Sequence, residues 1–199
     1  MFNSILVLES SWEENTIKST STWPFVSGFA TVANIEAYHR IFTDKDSFEK
    51  WVRVFNKDRS IGDQKLLYIA SHGSLGRIAG INRQTICNLL SKCHNIKYVH
   101  FGSCLFGQVS NLEWVLDNNR HLKWTAGYEC EVDWIDSTLF DLLMWNRIYR
   151  IKPDDKESKF IKPIKKLLSE TIDLNKNLEF NFVYRKEDKT IEVLNSVLV

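Results

Sequence analysis

The apolar residues of this chain fall into two alternating kinds of run. Residues 5–8 are short and continuously apolar, the pattern of a strand buried on both faces of a parallel sheet, and 65–70, Lys-Leu-Leu-Tyr-Ile-Ala, reads as another buried strand. Residues 96–101 and 122–126 read the same way, and 37–42 alternates enough to be a further strand. Between these runs the period lengthens to that of a helix. Phe48, Trp51, Val52 and Phe55 share one face over 46–55, with Asp46 or Ser47 as cap. Ile86, Leu89, Leu90 and Cys93 share one face over 82–93, and further helices are expected at 29–35, around 112–116 and over 137–149. Residues 10–27 are mostly polar, with Trp23-Pro24 reading as a break.

Strands alternating with helices predict an α/β fold, a mostly parallel central sheet with helices on both faces. After Pro153 a charged stretch leads to a helix around 160–172. Two β-prone runs follow, 178–184 and 190–199, turned at Lys186-Glu187-Asp188-Lys189. The expected organisation is one domain over 1–199: a core over 1–150, then a C-terminal helix and β-hairpin extension over 151–199. A length of 199 residues fits one such unit.

Composition narrows the class. At 44% hydrophobic and 26% charged residues, with 7 Trp, 12 Phe and 6 Tyr, the chain can fill a sizeable core. Lys and Arg total 26 against 25 acidic residues, which removes the basic excess a general nucleic-acid binder needs. No apolar run reaches membrane-spanning length. The N-terminus has neither the basic start nor the apolar length of a signal peptide. Cys87, Cys93, Cys104 and Cys130 form no Cys-x-x-Cys pair and are read as thiols in a reducing, cytoplasmic compartment.

In open α/β sheets, chemistry collects at the carboxyl ends of the strands. Two capable residues stand there: His72, after Leu-Leu-Tyr-Ile-Ala-Ser, and Cys104, after Tyr-Val-His-Phe-Gly-Ser. A free thiol is only a few per cent ionised at neutral pH, so a neighbouring imidazole must take its proton before it attacks. Gly73, Gly102 and Gly107 let a substrate backbone approach, with main-chain N–H groups to bind an oxyanion. Either residue alone reads as a small buried thiol or a turn histidine; together, at matching positions of consecutive units, they point to a dyad. His100 is a poorer base, since four extended residues place it about 13 Å from Cys104. Cys93-His94 has no second pair at zinc spacing, so no metal and no cofactor are expected. Leu105-Phe106-Gly107-Gln108-Val109-Ser110 lacks the Arg of a tyrosine-phosphatase loop, and no Gly-x-Ser-x-Gly elbow is present.

The pattern of strand–Ser71-His72-Gly73, helix, strand–Gly102-Ser103-Cys104 resembles the caspase-like cysteine peptidases: caspases, metacaspases, gingipains, separase and the bacterial peptidases with a CHAT domain. Ala126-Gly127-Tyr128 and Val132-Asp133-Trp134 resemble the bacterial members most, and the chain is similar to a family of bacterial proteins of about its size. The likeness covers roughly 1–150. It implies His72 as general base, Cys104 as nucleophile, and the N–H groups of Gly73 and Cys104 as oxyanion hole. It also implies a protein or peptide substrate, and a role in bacterial stress or defence. The Gln-Ala-Cys-x-Gly signature of true caspases is missing, and the His–Cys interval is only 104 − 72 = 32 positions.

In that fold the strand ends help to build the P1 pocket, so acidic walls there imply Arg or Lys at P1. Glu129, Glu131 and Asp133 point to one side if their segment is extended, and Glu9 ends the first strand near Glu13 and Glu14. The competing reading makes Asp133 the cap of the following helix. Two other functions stay open: a binding or scaffold protein that keeps the fold without turnover, and a flavodoxin-like ligand binder, for which no Gly-rich phosphate loop is present. Oligomeric state is not encoded in any pattern found.

Overall fold

The structure is a computed structural model that describes residues 1–10, 20–152 and 158–195. Glu13, Glu14 and the last four positions of the expected final strand lie outside the described residues.

A seven-stranded sheet runs through the molecule in the order β10-β9-β8-β7-β3-β1-β2. Its parallel part comprises β1 (Ser4–Glu9), β2 (Glu36–Ile41), β3 (Lys65–Ala70), β7 (Ile96–Gly102) and β8 (Trp124–Tyr128). β1 and β3 are buried at every position, as the apolar runs 5–8 and 66–70 require. Successive side chains leave opposite faces, so the strands feed two cores. On one face Ile5, Tyr68, Tyr98 and Trp124 pack against α1 (Trp23–Ala33), α5 (Trp134–Ile148) and α6 (Ser158–Glu170). On the other, Leu6, Leu67, Ile69 and Val99 meet α2 (Lys45–Lys57), α3 (Arg83–Leu90) and α4 (Val109–Asn118). The α/β fold expected from the sequence, with a mostly parallel sheet covered on both sides, is the observed one.

Local readings needed adjustment where capping chemistry decides. Pro24 opens α1 instead of breaking the chain, because the first helical turn has no N–H to satisfy there. The cap of α2 is Asp44, not Asp46 or Ser47: its side chain accepts from Ser47 N, and Ser47 reaches back to Asp44 N in a capping box. α5 begins at Trp134, three residues before the expected start. The stretch after His72 is not a plain loop. It folds into a small antiparallel sheet of β4 (Gly73–Ser74), β5 (Arg77–Ile78) and β6 (Ile81–Asn82), turned at Gly76, Ala79 and Gly80 with positive φ. After α6 comes a further helix, α7 (Ile172–Leu178).

The C-terminal strands β9 (Phe180–Arg185) and β10 (Ile191–Asn195) join the main sheet. β9 lies antiparallel beside β8 and β10 forms the outer edge, so the hairpin widens the core sheet. Among the described residues no helix is long and apolar enough to cross a membrane.

Candidate active site

β3 and β7 are direct neighbours, and their register pairs Ala70 with Gly102. Two residues further along each chain stand His72 and Cys104; the sequence interval of 32 is the register offset of the two strands. β8 extends the row. Phe101 pairs with Gly127, the last pair of that ladder, and the alignment of His72 with Cys104 is the β3–β7 count carried past the strand ends.

Contacts between the loops support this extrapolation. A Cβ built on Gly73 would lie 2.0 Å from Cys104 O and 3.1 Å from Cys104 N, so the loop carrying His72 lies directly on the backbone of Cys104. Only glycine permits that approach. Ser103 Oγ donates to Ile69 O at 3.2 Å, tying the base of the Cys104 loop back to β3. The Ser10 and Ser71 hydroxyls share a short hydrogen bond that ties β1 to the same row.

Cys104 sits in a constrained turn. Phe106 N donates to Cys104 O at 2.7 Å across Leu105, whose φ of 62° a branched side chain rarely adopts. Leu105 N donates to Cys130 O (3.2 Å) and Gly107 N to Tyr128 O (2.8 Å), so β8 holds the turn in place. Gly107 in turn lies flat against Gly127, where a Cβ would come within 2.1 Å of backbone atoms. Asn181 of β9 adds a side-chain clamp, with Nδ2 donating to Gly107 O and to Glu129 Oε2, each at 3.0 Å. The Cys104 thiol is half-buried and His72 is exposed.

The acidic residues are arranged differently from expectation. Glu9 is 3% exposed, and its carboxylate accepts from Thr22 N (2.6 Å), Thr22 Oγ1 (2.7 Å) and Ser21 Oγ (2.7 Å). His39 Nε2 lies 2.7 Å from the same carboxylate, its ring stacked on Trp23. This carboxylate fastens the start of α1 to the end of β1, with both oxygens already engaged. Asp133 is the N-cap of α5, accepting from Ile135 N (2.8 Å) and Asp136 N (3.0 Å) through one oxygen, and it is exposed. β8 ends at Tyr128 and the chain bends at 129–130, so Glu129, Glu131 and Asp133 do not continue one extended face. Glu131 is exposed and Glu129 half-buried beside Asn181.

Beneath the row lies a polar network that the residue pattern did not reveal. Asp141 of α5 is 1% exposed; Tyr68 donates to its Oδ2 at 2.7 Å, and Tyr128 makes a short bond to its Oδ1. His100 Nε2 faces Asp141 Oδ1 at 2.9 Å, off the line of a well-aligned hydrogen bond, while Trp145 Nε1 donates to His100 Nδ1 at 3.1 Å. Burial, followed by the carboxyl of Asp141, pushes both tyrosine hydroxyls well above their ordinary pKa, so they act as donors. His100 is thus a core residue held from β7. The available signal was Asp141 itself, a carboxyl on the apolar face of a helix whose neighbours Phe140, Met144, Trp145 and Ile148 are all buried.

No family model and no curated protein matches this chain. Solved structures do. One is the X-ray structure of a secreted C11 cysteine protease from Bacteroides thetaiotaomicron in complex with an irreversible peptide inhibitor. It aligns at a TM-score of 0.53 over 91% of this chain and 66% of that one. The fold is caspase-like. At 12% identity the likeness extends to fold alone, and the chain spans less than two thirds of the protease's length. A Plasmodium falciparum PdxK with ligands AMP-PNP and PL aligns at a TM-score of 0.41, with 9% identity over 84% of this chain and 87% of that one, too distant to bear on the fold.

Among the described residues no group of three or more His, Cys, Asp or Glu is arranged to hold an ion. Cys93 is buried, which pushes its thiol up to about 11, and the ring of His94 packs on His121 at 4.7 Å.

Proposed function

We propose that this chain is a cysteine endopeptidase in which Cys104 attacks the scissile carbonyl and His72 is its general base. The observation that carries the reading is the register: a thiol and an imidazole each two residues beyond the last pair of adjacent parallel strands, with Gly73 packed on the Cys104 backbone. In the reaction His72 takes the Cys104 proton as sulfur bonds to the carbonyl carbon. The N–H groups of Gly73 and Cys104 are the donors for the resulting oxyanion. His72 then protonates the leaving amine, and water hydrolyses the thioester. The constrained turn at Leu105 and its clamps from β8 and β9 keep the sulfur from relaxing away from the histidine.

The substrate is a protein or peptide with Arg or Lys at P1. The carboxylates near Cys130 that can meet that cation are Glu131, which is exposed, the second oxygen of Asp133 beyond its helix cap, and Glu129 beside Asn181; the Glu9 carboxylate is engaged internally. A charge-assisted contact of this kind, at an exposed position, is worth about tenfold over a neutral P1 residue.

A fluorogenic peptide library profiled with the wild-type chain and with Cys104→Ala tests both levels. Hydrolysis lost in Cys104→Ala, with P1 Arg or Lys preferred, is the expected result. Hydrolysis that survives the substitution, or no hydrolysis by the wild type, rejects the peptidase reading and leaves a binding protein of caspase-like fold. Cleavage after Asp rejects the pocket assignment alone.

A further inference from the structure

The row at the strand ends contains a second thiol for which peptide hydrolysis has no use. Leu105 N donates to Cys130 O at 3.2 Å and Gly107 N to Tyr128 O at 2.8 Å, so past the end of β7 the chain turns back along β8 and the backbone of Cys104 lies beside that of Cys130. Residues paired by such a hydrogen bond have Cα atoms about 5.5 Å apart, and Cys104 is the residue next to Leu105. A disulfide needs Cα atoms about 4.4–6.8 Å apart. Both thiols are free and half-buried, open to a small oxidant, whereas Cys87 and Cys93 are buried within the fold.

We propose that Cys104 and Cys130 form a reversible disulfide, making this row a peroxide-sensitive modification site that masks the Cys104 thiol. In the first step the Cys104 thiolate attacks one oxygen of hydrogen peroxide. The O–O bond breaks, hydroxide leaves and takes up a proton as water, and Cys104 becomes a sulfenic acid. In the second, Cys130 sulfur displaces that hydroxyl as water, losing its own proton. The sum is two thiols and one peroxide giving one disulfide and two waters. A dithiol reductant reverses it by exchange. Burial first, and then the charge of Glu179, raise the Cys130 pKa, with the nearby Cys104 adding to the shift, so Cys130 gives up its proton in the course of this attack. In the reduced protein Cys130 Sγ rests 3.3 Å from Asn177 O, a weak contact that a side-chain rotation gives up.

The bond itself rests on geometry; only its consequence for activity rests on Cys104 being the nucleophile. The test treats the reduced full-length chain with a small excess of hydrogen peroxide, alkylates the remaining thiols in denaturant, and reads intact mass and linked peptides. The expected product carries two fewer alkyl groups, joins the Cys104 and Cys130 peptides, and returns to the starting state with dithiothreitol. In Cys130→Ser and Cys130→Ala alike, Cys104 instead accumulates as a dimedone-reactive sulfenic acid. Alkylation of both cysteines after peroxide, or Cys104 bridged only to another chain, overturns the inference. Hydrolysis assayed on the same samples separates the two readings. A bridge in a protein that never hydrolyses peptide sinks the peptidase and leaves the disulfide. Hydrolysis untouched by peroxide in a sample without the bridge does the reverse, and hydrolysis untouched in a bridged sample assigns the activity to a group other than Cys104.

Discussion

Asp141→Ala removes the one carboxyl on which Tyr68, Tyr128 and His100 converge. Tyr128 keeps a partner, since its hydroxyl also donates to Ser137 O at 2.9 Å. Tyr68 loses the acceptor at 2.7 Å, and His100 Nε2 loses the carboxyl oxygen 2.9 Å away in a site with 0% exposure. Each stranded buried group costs about 1–3 kcal/mol, so the two together cost about 3–5 kcal/mol, the range for breaking a buried polar network at one member. That is a large part of a typical folding stability of about 5–15 kcal/mol. For a chain of 199 residues it corresponds to a fall in melting temperature of about 10 °C. Tyr68→Phe should cost less, about 1–2 kcal/mol, because it removes one donor and leaves Asp141 with others. The double variant should fall short of the sum by about 1 kcal/mol, since both changes delete the same hydrogen bond. Urea denaturation of the four proteins, with equal slopes, measures all three quantities. An Asp141→Ala protein within about 0.5 kcal/mol of wild type, or strict additivity, would refute the claim that this network holds β3, β7 and β8 to α5.

Gly73→Ala leaves both His72 and Cys104 in place but puts a methyl 2.0 Å from Cys104 O, so the two loops must part. Peptide hydrolysis should drop by about a hundredfold, as expected for a displacement near 1 Å, and unchanged kcat/KM would show that the loop contact does not position the dyad. If His72 and Cys104 act as one unit, the double alanine variant should be about as inactive as either single one; multiplying losses in kcat would assign them separate roles. Burial lowers His121 to about 4, with the charges of His94 and Lys97 adding to the shift. The unfolded chain therefore binds more protons than the native one between that value and the ordinary histidine range, and stability is lost as pH falls from about 6.5 towards 4. His121→Gln should flatten that part of the pH profile in urea midpoints; an identical slope in the variant would locate the titration elsewhere.

The site residues were legible to different degrees. His72 and Cys104 stood out because each follows an unbroken apolar strand, and a strand end is recognisable from local pattern alone. Asp133 carried two readings, and the structure shows the helix cap because its oxygen lies within reach of two α5 N–H groups. Glu9 looked available because its neighbours in sequence are polar; Ser21, Thr22 and His39, which occupy it, come from 12 to 30 positions away. Cys130 gave no signal, since nothing within a few residues distinguishes it from a surface thiol.

By itself, the sequence determined the alternation of strands and helices, the burial of both sheet faces and the position of a thiol and an imidazole at strand ends. These are consequences of period and of short-range chemistry, which a single segment carries entire. Tertiary structure alone decided which strands are neighbours and in what register. That choice set the end of β7 between those of β3 and β8, added β9 and β10 to the sheet edge, and placed Asp141 under Tyr68, Tyr128 and His100. Pairing and burial of this kind depend on contacts as distant as Tyr68 and Asp141, 73 positions apart, and the free energy of such a contact exists only once the whole sheet has assembled.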